Sequence, residues 1–154
     1  MATFTKINSW VENLHNAGVS LDSDVLQLAF SNTAPGTDGV QDTTGTTNGV
    51  LATVTQIAYT NWTDDLTADR VLTDANVAHA HSSGTYTLDY TADIVITASG
   101  GAIATWQYIY LADQTIASPA DPLINYWDHG SGIALGDGDS ATLQFNASGI
   151  LTLA

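Results

Sequence analysis

His79-Ala-His81 is the spacing in this chain most like a metal site. Residues two apart on a strand share a face, so both imidazoles would point one way and a nearby Asp could complete a ligand set. The spacing names no third ligand, and two exposed polar residues entering a strand explain it as well. Two oxygen-rich stretches, Gly136-Asp-Gly-Asp139 and Asp64-Asp65 with Asp69, could hold Ca2+, a hard cation that takes several oxygens. Neither has the fixed acidic offsets and closing Glu of an EF-hand, and ordinary turn chemistry explains both. No metal or other cofactor is therefore assigned. His79, His81, Asp137 and Asp139 are the first candidates for one, and a structural Ca2+ is the ion the acidity would favour.

Patterns of catalysis are missing. The sequence has no Gly-x-Ser-x-Gly elbow, no His-Glu-x-x-His and no phosphate loop with its Lys. The one Glu, Glu12, falls on an expected helix. Asp pairs for glycoside hydrolysis cannot be recognised from spacing. The chain reads as a non-enzyme. Trp62, Trp106, Tyr108, Tyr110, Tyr126 and Trp127 could stack on sugars, but such residues more often anchor a core or a subunit interface.

Charge excludes more than any motif includes. Sixteen acidic residues face two basic ones, Lys6 and Arg70, and every acid but Glu12 is Asp. A formal charge of −14 on 154 residues cannot neutralise phosphates, which argues against nucleic acid and anionic membranes as partners. Asp favours turns and helix starts, so the bias describes strands joined by turns. Charged residues make up 12% of the chain, roughly half the usual share, which leaves Thr, Ser, Asn, Gln and Gly to coat the surface. Such coats fit extracellular or assembly proteins. Cysteine is absent, so disulfides and thiolate metal sites are impossible. Met1-Ala-Thr-Phe-Thr-Lys6 lacks the apolar stretch of an export signal. No apolar run approaches the roughly 20 residues of a membrane helix. The expectation is a soluble chain made in a cytoplasm, on which the sequons at Asn61 and Asn146 are chance matches.

The elements that must position these residues follow from periodicity. Phe4, Ile7, Val11 and Leu14 mark one face of a helix over about 5–16, with Trp10 beside it, Thr3 or Thr5 as cap and Gly18 as stop. Leu26, Leu28 and Phe30 alternate as a half-buried strand. Residues 32–49 form a long polar arm, and Val50–Tyr59 reads as helix or strand. Tyr86, Leu88 and Tyr90 alternate, then Ile94, Ile96 and Ala98, and Gly100-Gly101 turns. Residues 103–111 are apolar on both faces, which places them mid-sheet or beneath another chain. Ser118–Pro122 is a turn, 123–127 a short strand and 130–139 a loop. Residues 141–145 and 150–153 look like a terminal hairpin. The whole is mainly β, a β-sandwich with the jelly roll as one form, carrying one short N-terminal helix. It forms one domain over 1–154, with the sandwich at about 20–31 and 50–154.

Several segments together resemble a family of small tailed-bacteriophage virion proteins. They are Phe4-Thr-Lys-Ile-Asn-Ser-Trp-Val-Glu-Asn-Leu14 with His15-Asn16, Leu28-Ala-Phe-Ser-Asn-Thr-Ala-Pro35, Asn48-Gly-Val-Leu-Ala52, and Ser118-Pro-Ala-Asp-Pro-Leu-Ile-Asn-Tyr-Trp-Asp128 with Gly130-Ser131. The resemblance covers nearly the whole chain and brings no catalytic residues. It implies a structural role, as a decoration or cement protein on the outer face of the head, with the major capsid protein and further copies of itself as partners. A trimer is favoured over a dimer. A protein associated with the tail or a fibre, binding host glycans, is the alternative. The acidity favours an outward position, because the packed genome would repel it. The residues expected at the contacts are Phe4, Ile7, Trp10 and Val11 of the helix, Trp106, Tyr108 and Tyr110 of the two-faced strand, and Pro35 of the arm.

Overall fold

The period-two patterns of the sequence become strands, and the Asp/Gly stretches become turns, in a computed structural model that describes residues 2–36, 49–146 and 148–153. In chain order the elements are β1 (Thr3–Lys6), α1 (Trp10–Asn16), β2 (Leu26–Ser31), β3 (Trp62–Asp64), β4 (Val77–Ser82), β5 (Thr85–Tyr90), β6 (Ile94–Ala98), β7 (Trp106–Asp113), β8 (Leu123–Ile133), β9 (Ser140–Leu143) and β10 (Leu151–Leu153). All pairings are antiparallel. They form a four-stranded sheet in the order β1-β8-β7-β2 and two three-stranded sheets, β10-β5-β4 and β3-β6-β9.

The fold is mainly β and sandwich-like, and aromatic rings join its layers. Phe30 of β2 lies 4.7 Å from Trp62 of β3 and 5.2 Å from Trp106 of β7, centroid to centroid. Trp127 of β8 meets Phe145, just beyond β9, at 5.5 Å, and Phe145 meets Tyr90 of β5 at 5.9 Å. Offset and edge-on pairs at these distances are favourable beyond the area they bury. Leu28, Leu88, Ile94, Ile96, Leu111 and Leu123 fill the space between, all buried.

The two-faced strand sits mid-sheet, as β7 between β2 and β8. Its neighbour β2 is buried along its whole length, where alternation predicted a half-buried strand. The outer edge of β2 is closed by other segments: Ile57 N–H bonds to Phe30 O at 2.9 Å, and Leu72 N–H to Leu26 O at 2.8 Å. Of its polar side chains, Ser31 Oγ donates to Thr55 O at 2.6 Å and Gln27 Nε2 donates to Asp69 O at 2.7 Å, while Gln27 Oε1 is buried without a partner among the described residues.

Four expectations are corrected. The N-terminal helix begins at Trp10, not near residue 5, because Thr3–Lys6 pairs with β8 as a strand. Its buried face is Trp10 and Asn13, while Val11 is 45% exposed. The stop is as expected: Gly18, just past the C-cap Ala17, has φ +70°. Second, β8 runs on through Gly130-Ser-Gly132, where a loop was expected. Gly132 has no space for a side chain, since a Cβ there would lie 2.7 Å from Thr105 Cγ2. Third, β9 and β10 are not a hairpin: β9 pairs with β6 and β10 with β5, so the two strands belong to different sheets. Fourth, Val50–Tyr59 is neither helix nor strand beyond a single 3-10 turn at Leu51–Thr53. Most of the polar arm, residues 37–48, lies outside the described residues.

Candidate functional site

A single cross-strand row organises a concave surface at the edge of the four-stranded sheet. Phe4 of β1, Trp127 of β8, Ile109 of β7 and Phe30 of β2 are register partners and therefore share one face of the four-stranded sheet. Exposure falls along the row, from 41% at Phe4 to 9% at Ile109 and 0% at Phe30. The row enters the core at β2 and opens to solvent at β1. Phe4 stands edge-on to Trp127, with centroids 6.2 Å apart and planes at 71°.

Over the open end lies a cleft of about 760 Å3. Its floor is the sheet face carrying Phe4, Trp127, Ile109 and Trp106. Its wall is β9 and the crossover towards β10, with Leu143 and Phe145. Gly149 lets that crossover lie close to β5: its φ is +100°, and a Cβ there would come within 2.8 Å of Leu88 O. Among the described residues its lining holds no carboxylate, and His129 is the only titratable side chain in it. Such a surface can hold an apolar or aromatic group. It offers no paired acid and base.

Four of the acidic residues singled out in the sequence, Asp64, Asp65, Asp137 and Asp139, accept hydrogen bonds from this chain's own N–H groups. Asp137 Oδ1 accepts the Gly100 and Gly101 N–H groups at 2.8 and 3.1 Å, and Asp139 Oδ2 accepts the Gly136 N–H at 2.9 Å. Asp64 accepts the Trp62 Nε1–H and Leu66 N–H at 2.5 and 3.0 Å, and Asp65 accepts the Val95 N–H at 3.1 Å. Asp128 Oδ1 accepts the Gly130 N–H at 2.7 Å and Gln107 Nε2 at 2.8 Å. His79 and His81 are exposed on β4, and the His79 ring lies against Tyr86, with Nδ1 3.0 Å from its hydroxyl. Among the described residues no group of three or more His, Asp or Glu gathers as a metal site would require.

One carboxyl stands apart. Asp113, at the end of β7, is fully buried. Burial, with the Asp24 carboxylate beside it, pushes its pKa up to about 6, against the pull of its hydrogen bond from Thr115 N–H.

A second aromatic surface is a shallow groove at Tyr59, Trp62, Asp64, Asp69 and Arg70. The Arg70 guanidinium lies over the Tyr59 ring, 3.6 Å from its centroid. Tyr108 and Tyr126 form a third on the opposite face of the four-stranded sheet, 6.4 Å apart and half-buried.

The expected contact residues divide. Ile7, Trp10, Trp106 and Tyr110 are at most 1% exposed, and Pro35 is buried, so they belong to this chain's own core. Phe4 and Val11 are exposed and Tyr108 is half-exposed, and these can reach another molecule. Sequence reasoning did not single out Leu143 and Phe145, because their place opposite Phe4 and Trp127 arises from pairing between distant strands.

No helix among the described residues is long and apolar enough to cross a membrane. Comparison with family models, with curated proteins and with solved structures gives no match for this chain.

Proposed function

We propose that this chain is a bacteriophage virion structural protein that decorates the outer face of the head and holds it by non-covalent contacts, with no chemistry of its own. The observation that carries this reading is the open aromatic cleft at the edge of the four-stranded sheet, set in a chain of formal charge −14. A surface lined by Phe4, Trp127 and Phe145 and lacking carboxylates is built for contact. Several carboxylates elsewhere accept hydrogen bonds from backbone N–H groups in turns, and the acidity of the chain suits the outside of a DNA-filled shell. The segments resembling small tailed-phage virion proteins support the same reading. Its partners would be the major capsid protein and copies of the chain, a trimer before a dimer.

The test is add-back. Purified protein is mixed with heads stripped of accessory proteins, and bound copies are counted by quantitative mass spectrometry. Saturation at a multiple of the lattice symmetry, with raised resistance of the head to heat, supports the reading. A copy number in the low tens or fewer would move the protein to the tail.

The alternative is a glycan-binding virion protein of the tail or a fibre. The Tyr59–Trp62 groove favours it, because aromatic faces flanked by Asp64 and Arg70 suit a sugar's apolar face and hydroxyls. A glycan array separates the two readings.

A further inference from the structure

β1 is the end strand of its sheet among the described residues, the cleft beside it belongs to the same surface, and the backbone geometry at Phe4 specifies what can bind there. Ile7 N–H bonds to Ile124 O at 3.0 Å, the inward-pointing position of the β1–β8 ladder. Antiparallel pairing alternates, so Thr5 and Thr3 also turn their backbone groups towards β8, while those of Phe4 turn away. Among the described residues no strand or bridge pairs with that outer side. Edge strands are usually blunted by charge or Pro. Here the strand ends on Lys6, but its middle presents a 41%-exposed Phe. A strand added outside β1 would place every second side chain on the Phe4–Trp127 face, over the mouth of the cleft.

Charge selects the occupant. A second copy would bring another −14 against the first, with only two basic residues per chain to offset it. Asp128 stands in register with Thr3, so a cation two strand spacings away lies about 10 Å from it, within the screening length at moderate salt. We propose that β1 and the Phe4–Trp127–Phe145 cleft bind an extended segment of a partner protein that carries Lys or Arg beside alternating apolar residues, by adding a fifth strand to the sheet. This names the partner chemistry for the attachment proposed above and rests on that reading only for which protein supplies the segment.

The test uses the full-length protein and two capped seven-residue peptides that alternate Val and Thr, one with Lys at both ends and the other with Glu. Calorimetry at low salt is expected to show binding of the Lys peptide, at least roughly tenfold tighter than the Glu peptide and weakened by added salt. Phe4→Pro removes the outward N–H and leaves the β8 ladder intact, as an edge strand tolerates. It should weaken binding by roughly tenfold or more. If that variant does not fold, N-methylation of the Lys peptide at its central residues provides the same readout on the unaltered protein. Equal affinity for both peptides, no binding of the Lys peptide, or a dimer of the chain that forms through β1 in sedimentation would overturn the proposal. Heads that take up Phe4→Pro as well as the unaltered protein would also remove the strand pairing while leaving the attachment itself standing. Peptide binding without head binding would do the reverse.

Discussion

Phe4 and Trp127 face each other across the β1–β8 ladder, rings edge-on at 6.2 Å, at the point where a row of core side chains reaches solvent. Phe30, at the far end of that row, is fully buried, and its ring touches Tyr59, Trp62 and Trp106. On the proposed reading, the same row serves stability at its buried end and contact at its exposed end. Phe30→Ala should cost about 3–5 kcal/mol. Phe4→Ala, at a site already 41% exposed, should cost about 1 kcal/mol or less while weakening attachment. Denaturant unfolding of both variants, with head binding measured alongside, checks this division.

Asp113 gives the stability a pH dependence of known sign. Its pKa is about 6 in the folded chain against an ordinary 3.8, so the folded state binds the proton more tightly. Stability is therefore full below about pH 4 for this group and falls as pH rises through about 6. Asp113→Asn keeps an oxygen for the Thr115 N–H and removes the buried charge. It should raise stability at pH 7 by on the order of 2 kcal/mol and flatten the slope between pH 4 and 6. Thermal melts across that range measure both effects.

Asp137 ties the Gly136–Asp139 turn to Gly100-Gly101 through two hydrogen bonds. Asp137→Ala should cost about 1 kcal/mol, because the freed N–H groups are exposed and water can reach them. Asp137→Asn, which keeps the acceptor, should cost less. Added Ca2+ should leave the melting temperature of the unaltered protein unchanged, since this carboxylate serves the turn. A Ca2+-dependent rise that Asp137→Asn abolishes would assign a metal after all.

Gly149 supports the wall of the cleft with φ +100° and no space for a Cβ beside Leu88 O. Gly149→Ala should destabilise by about 1–3 kcal/mol and shift the crossover that carries Phe145. Chemical shifts of residues lining the cleft, Leu143 and Phe145 among them, would report that displacement directly.

Much of the fold was legible from local pattern. The alternation at β2, β5 and β6, the two-faced run that became β7, and Gly18 as a helix stop all rest on side-chain period or backbone freedom. What stayed hidden depends on partners distant in the chain. Phe4 and Ile7 sit three apart and mimic a helical face, yet β8 claims Thr3–Lys6 as a strand. β9 and β10 look like a hairpin because both alternate, but each pairs with a different sheet. The cleft is the clearest case: Phe4, Trp127 and Phe145 come from three separate segments, and no spacing announces their meeting.

The most direct measurement is occupancy of stripped heads by the unaltered chain and by Phe4→Pro, read as copies per particle. Saturating, symmetry-related occupancy by the first and roughly tenfold weaker uptake of the second is the expected result. Failure of the unaltered chain to bind heads at any concentration would contradict the account.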